Sequence, residues 1–196
     1  WTLFYYIIVK YISTTNTKWI YAAGIAAGFG LLSKYNFAFL LLGFFPALLL
    51  SRYRQLFIQK EIYLSAGIAF IIVLPNLVWQ YQNNFPTLHQ LNELVRTQLD
   101  NVNRADFVKE QLLFFVNSIV VIIAAFIALI VYKPFKKYQL LAWNFVFTIA
   151  LFIWFKAKGY YAIGLYPVFI ALGAVYAAIL LSKGWKRYLQ PVVLIL

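Results

Sequence analysis

Apolar residues run along this chain in long blocks, divided by short polar and basic stretches. The blocks cover residues 1–12, 15–32, 37–51, 62–79, 112–132, 138–155, 160–181 and 189–196. A helix needs about 20 apolar residues to cross the hydrocarbon core, with a range of roughly 17–25. The first and last blocks stop at the chain ends. The second and third are short, and only Ser33, Lys34, Tyr35 and Asn36 divide them. That fits two short spans or one re-entrant hairpin, and the charge pattern below favours two spans. The fold class predicted is all-α integral membrane: a polytopic transmembrane helix bundle of about seven or eight spans, one domain over 1–196.

Composition agrees. Of 196 residues, 64% are hydrophobic and only 11% charged, against about 25% charged in an average soluble domain. So few polar groups cannot cover a surface that faces water, which excludes a soluble domain. The chain has no Met, and apolar runs meet both of its ends. It reads as an internal piece of a longer protein, with any targeting segment outside it. The lack of cysteine removes disulfides and thiolate metal sites and leaves the redox compartment open.

The net charge of +12 would suit a nucleic-acid binder, but its placement gives it another role. Lys10 and Lys18 flank the first connection. Arg52, Arg54 and Lys60 fill the third, Lys133, Lys136 and Lys137 the fifth, and Lys183, Lys186 and Arg187 the seventh. These alternate connections hold eleven of the seventeen basic residues. Basic residues in short loops mark the cytoplasmic side, so the even-numbered connections are expected outside. The charge anchors the inner face, and no nucleic-acid partner is needed to explain it.

The long outer connection, 81–111, holds four of the five acidic residues. Thr87 and Gln90 form a capping-box pattern after Pro86. Leu88, Leu91, Val95, Leu99 and Val102 then recur at helical spacing. This predicts a helix, lying either in the membrane interface or packed on other outer loops. Gly24 and Gly28 form a small-residue stripe suited to close helix packing.

Three cations break the orientation rule: Lys34, Lys156 and Lys158. Each sits at an outer edge, and none has an acidic neighbour in sequence. A lysine at that depth snorkels to water or meets an anion. Three in two short connections point to a shared anion, of which a membrane lipid phosphate is the obvious one, and an ammonium binds phosphate as a point charge. Tyr35, Tyr160, Tyr161 and Tyr166 lie beside these lysines. Either they belong to the aromatic belt of any interface, or they hydrogen-bond a phosphate or sugar. Asn76 and Gln80 follow Pro75 near the outer end of the fourth block. They either line a polar cavity or repair backbone groups freed by a proline kink. His89 is the one histidine, expected on the outer face, and without Cys or a second His it makes no metal site. No carboxylate lies inside a span, and no phosphate loop, dinucleotide fingerprint or nucleophile elbow occurs.

Three segments then carry a resemblance. Residues 23–35 (AGIAAGFGLLSKY), 74–83 (LPNLVWQYQN, with Phe85, Pro86 and Thr87 after it) and 158–161 (KGYY, with Leu165, Tyr166 and Pro167 after it) resemble bacterial glycosyltransferase family 39. That family comprises relatives of dolichyl-phosphate-mannose–protein mannosyltransferases and of the aminoarabinose transferase that modifies lipid A. The resemblance implies a GT-C fold in a bacterial inner membrane, with its active face outside. It implies transfer of a sugar from a polyprenyl-phosphate donor to a protein, lipid A or glycan acceptor, with inversion at the anomeric centre. It gives lysines at positions such as Lys34 and Lys158 to the donor phosphate, and turns His89 towards the cavity. The family's catalytic aspartate lies in the first outer loop, upstream of this stretch. No catalytic residue is therefore expected here, and the stretch alone is expected to be inactive. Some members use a divalent metal, and nothing in this sequence identifies its ligands.

The alternative is a multi-span lipid or sugar transporter or flippase. Such proteins join broken helices near the bilayer midplane, often in repeated halves. No repeat occurs here, and the unusual cations sit at one edge instead.

Overall fold

The computed structural model describes residues 1–94, 96–97 and 103–182. The expected last span, 189–196, lies outside them. So do Lys183, Lys186 and Arg187 of the seventh connection, and Val95, Leu99 and Val102 of the outer-loop helix.

Among the described residues the chain forms helices and turns without a strand. The α-helices are α1 (Thr2–Thr14), α2 (Lys18–Ser33), α3 (Phe37–Leu50), α4 (Lys60–Gln82), α5 (Pro86–Leu94), α6 (Arg104–Phe114), α7 (Ile119–Val131), α8 (Gln139–Trp154) and α9 (Pro167–Leu180). Apolar runs of this kind become helices because a helix bonds its own backbone groups where no water can. α4 runs uninterrupted through Pro75, and α3 through Pro46.

By length and composition, two helices are able to cross a membrane: Lys60–Gln82, and Lys133–Trp154 with its leading 3-10 turn. Two bent pairs raise the number to as many as four. The expected count of seven or eight is not reached on this measure, because α1, α2 and α3 hold 13, 16 and 14 residues.

Two of the expected spans contain a bend. The run at 112–132 is broken: α6 ends at Phe114, a 3-10 turn covers Val116–Ser118, and α7 leaves at 64°. Asn117 and Ser118 put polar groups at the break, and such side chains compete for backbone bonds. The run at 160–181 opens with a 3-10 turn, Gly159–Leu165, bent by 49° from α9. Pro167 causes this break. It has no N–H to continue a preceding helix, and it starts α9 at the position where proline is favoured.

The outer loop also departs from expectation. α5 starts at Pro86, two residues before the start that a capping box at Thr87 sets, and Thr87 and Gln90 do not cap each other. The side chain of Gln80, from the preceding helix, accepts the Thr87 N–H at 3.3 Å and donates to the Thr87 hydroxyl. A glutamine fixed on α4 outcompetes one on the first turn of α5.

Three pairs of helices build the core. α2 packs on α4, where the carbonyl of Ile20 accepts the Ser65 hydroxyl at 2.7 Å. A Cβ at Gly24 would stand 2.6 Å from Ser65 Oγ, and one at Gly28 would stand 2.8 Å from Ile72 Cβ. The predicted stripe is therefore a packing face. α3 packs on α8, with Gly43 against Thr148. α7 packs on α9, with Gly173 against the Val121 carbonyl and Phe126 stacked on Phe169 at 4.8 Å. α1 sits among them with Tyr5 fully buried.

The connections sort into two ends. At one, Ser13 meets the Tyr138 hydroxyl at 2.8 Å, the Tyr53 hydroxyl donates to the Lys137 carbonyl at 3.1 Å, and the Tyr11 and Tyr53 rings touch. At the other, the residues around Lys34, Gln80, Gln111 and Gly159 come together. Burial raises the Tyr53 hydroxyl pKa at the first end.

Candidate functional site

α4 places Asn76 and Gln80 four residues apart, hence on one helix face. Both reach Tyr35, which stands in the short turn between α2 and α3. The Tyr35 hydroxyl donates to Asn76 Oδ1 at 2.5 Å, and Gln80 Nε2 donates to the Tyr35 oxygen at 2.9 Å. The amides thus do more than repair a helix: they fix the turn that carries Lys34. Tyr35 itself stays exposed, and Gln80 is buried.

Lys34 reaches the third motif. Its Nζ lies 4.8 Å from the Tyr160 ring centre and 4.7 Å from that of Tyr161. The two rings meet edge to face at 4.6 Å. Asn36 Nδ2 donates to the Tyr161 carbonyl at 3.5 Å, while its Oδ1 is buried with no partner among the described residues. Positions 125 apart in sequence are joined here by an ammonium, two phenol rings and an amide. Cation–π contacts of this kind contribute about 0.5–1 kcal/mol when exposed and more when desolvated.

Lys158 and Tyr160 both line a cavity of about 420 Å³ with Asn103, Asp106, Phe107 and Glu110. Lys156 does not line it. It sits at a left-handed φ of 50° where α8 ends, its N–H on the Ile153 carbonyl at 3.3 Å. The two lysines of that short connection therefore have different surroundings.

Tyr166 takes a bracing position. It is buried, stacks on Phe115 at 3.9 Å and donates its hydroxyl to Gln111 Oε1 at 3.0 Å. His89 is exposed on α5. Neither joins the contacts around Lys34.

Two residues that the sequence reading passed over matter here. Glu110 Oε2 accepts the Gly159 N–H at 3.0 Å, and Gln111 Nε2 donates to the Gly159 carbonyl at 2.9 Å. α6 therefore holds both backbone polar groups of one residue, Gly159, in the K-G-Y-Y turn. Gly159 allows this approach, because a Cβ there would stand 2.8 Å from Glu110 Cβ. Their only sequence signal is two polar residues just before an apolar block. Among the described residues no three His, Asp or Glu side chains gather as metal ligands.

A second cavity of about 540 Å³ is almost wholly apolar and follows α2 and α4 along the bundle. Phe4, Ala27, Phe44, Val73 and Leu77 line it, and Tyr35 stands at its end beside the Lys34 turn.

Comparison with known proteins adds a partial family match. Residues 1–79, covering α1 to most of α4, match the family model described as dolichyl-phosphate-mannose-protein mannosyltransferase. Over 95 residues, 47% of the chain, the sequence is 34% identical to the lipopolysaccharide core galacturonosyltransferase RgtB of Rhizobium johnstonii. The aligned stretch is 19% of that protein's length. No solved structure matches. Over the part that holds the Lys34 turn and the start of the Asn76–Gln80 segment, the resemblance to glycosyltransferase family 39 is thus borne out: the chain carries a segment similar to the membrane mannosyltransferases of that family.

Proposed function

We propose that this chain is the donor-side part of a membrane glycosyltransferase. The enzyme moves a sugar from a polyprenyl-phosphate donor to a protein, lipid or glycan acceptor on the outer face of a bacterial inner membrane. The helices run alternately across the bilayer as seven or eight short spans in a GT-C arrangement. The outer end is the one that carries Lys34.

The observation that carries this reading is the meeting of three distant motifs at one bundle end. Adjacent residues Lys34 and Tyr35 tie them: Lys34 meets Tyr160 and Tyr161, and Tyr35 bonds Asn76 and Gln80. A transporter would gather its polar groups near the midplane, and this set lies at an edge. The Lys34 ammonium binds the donor phosphate and stabilises the charge that develops on it as the glycosidic bond breaks. Tyr35 and Lys158 flank it. The apolar cavity along α2 and α4 suits the hydrocarbon tail of such a donor. The base that deprotonates the acceptor hydroxyl comes from another part of the protein, and the sugar is transferred with inversion.

The test is transfer from radiolabelled polyprenyl-phosphate sugars by the full-length protein in detergent. Transfer that fails after Lys34→Ala supports the reading. A folded protein that uses no such donor rejects it in favour of a lipid or sugar carrier.

A further inference from the structure

The cavity between α6 and the 157–160 turn has a different character from the apolar one. Its volume of about 420 Å³ falls within the roughly 300–1,000 Å³ of small-molecule sites. Its wall mixes an amide (Asn103), two carboxylates (Asp106 and Glu110), an ammonium (Lys158) and a phenol (Tyr160). This is a lining that reads hydroxyl groups: carboxylates accept from them strongly, and the lysine donates to their oxygens.

The lining is built rather than incidental. Glu110 is half-buried and uses Oε2 on the Gly159 N–H. Its Oε1 has no hydrogen bond among the described residues. Asn103 uses Oδ1 to cap α6 through the Ala105 N–H at 2.9 Å, and its amide NH₂ is likewise unengaged among them. Asp106 pairs with Lys109 at 3.4 Å, but both side chains are more than half exposed, and such pairs hold weakly.

Tyr160 links the cavity to the Lys34 turn. It lines this cavity and also bears the Lys34 ammonium on its ring. A phosphate at Lys34 therefore has the cavity within one aromatic ring of it. We propose that this cavity seats the sugar ring of the lipid-linked donor, read through its hydroxyls by Glu110, Asp106 and Asn103. The inference rests on the donor reading above and adds the place and the recognition chemistry of the sugar.

Binding separates the two. The full-length protein in detergent is tested against radiolabelled polyprenyl-phosphate mannose and against the same polyprenyl phosphate without a sugar. Glu110→Gln keeps an oxygen for the Gly159 N–H, and Asp106→Asn keeps the shape. Each is expected to weaken the mannose-bearing lipid roughly tenfold, about what one charge-assisted hydrogen bond gives, and to leave the sugar-free lipid unchanged. Unchanged binding of the sugar-free lipid also shows that the variant is folded. Lys34→Ala is expected to weaken both lipids. If the carboxylate variants bind both lipids as the wild type does, or lose both equally, the cavity assignment is overturned while the phosphate reading stands. If the wild type binds neither lipid, the donor reading itself fails. A raised acceptor KM with donor binding intact would give the cavity to the acceptor and also overturn the proposal.

Discussion

The hydroxyl of Tyr5 on α1 donates to Asn144 Oδ1 on α8 at 2.5 Å, joining residues 139 positions apart in the middle of the bundle. Asn144 passes the contact on, donating to the Leu40 carbonyl at 2.9 Å and to Thr148 Oγ1 at 3.3 Å. All three side chains are fully buried. A satisfied polar network in an apolar core fixes which helices pair, since any other register leaves its groups unbonded. Tyr5→Phe strands the Asn144 oxygen and is expected to cost about 1 kcal/mol, the scale of such bonds inside membranes. Reversible unfolding in mixed micelles measures it, and donor KM should not move.

The α2–α4 contact makes a paired prediction. Gly28→Leu drives a side chain into Ile72 and should destabilise by about 1–3 kcal/mol, as overpacking does. Gly67→Ala, on α4 with nothing within 4 Å, should instead be neutral or stabilise by up to about 1 kcal/mol through helix propensity. Equal losses at both positions would contradict the packing face.

At the bundle end that carries it, Lys34→Ala should raise donor KM roughly tenfold or more, in line with a charge-assisted contact of about 1.5–3 kcal/mol. Tyr160→Ala should raise it less, because it removes only the cation–π support of about 0.5–2 kcal/mol. Lys136→Ala, at the opposite end, should leave KM unchanged. Steady-state kinetics on the full-length enzyme decide it.

Gln80→Leu removes both bonds to Thr87 and the one to Tyr35. Loss of a cap costs about 0.5–2 kcal/mol, so α5 should exchange its amide hydrogens faster while α2 and α4 keep their protection. Hydrogen-exchange mass spectrometry resolves the two regions.

Because the chain has no cysteine, single cysteines report its topology directly. In an otherwise cysteine-free protein, Gln82→Cys should react with an impermeant maleimide on intact spheroplasts. Lys136→Cys should react only after permeabilisation. Reaction of both from outside would sink the alternating arrangement.

These residues also show where sequence reading succeeds. Lys34 stood out because a cation that breaks the expected charge pattern is conspicuous without any structure, and it meets Tyr160 and Tyr161. Gly24 and Gly28 were legible because their spacing makes one helix face. The Tyr5–Asn144 bond was not, since nothing local marks two polar residues as partners across 139 positions. Glu110 and Gln111 hid for the same reason: they look like loop polarity until α6 lies against Gly159. The breaks at residues 115–118 and before Pro167 were lost inside apolar runs, where hydropathy is blind to direction. The capping box at Thr87 misled because a partner from the preceding helix replaced the local one.

The way Lys34 is held has a last consequence. A carboxylate that steadies a lysine also cancels the charge it holds. Here the ammonium rests on the faces of Tyr160 and Tyr161, and no carboxylate meets it among the described residues. Ring faces orient a cation but bring no net charge of their own. The grip is therefore electrically silent at long range: Lys34 is oriented and still shows its positive charge to an arriving anion, with no ion pair among the described residues to break first.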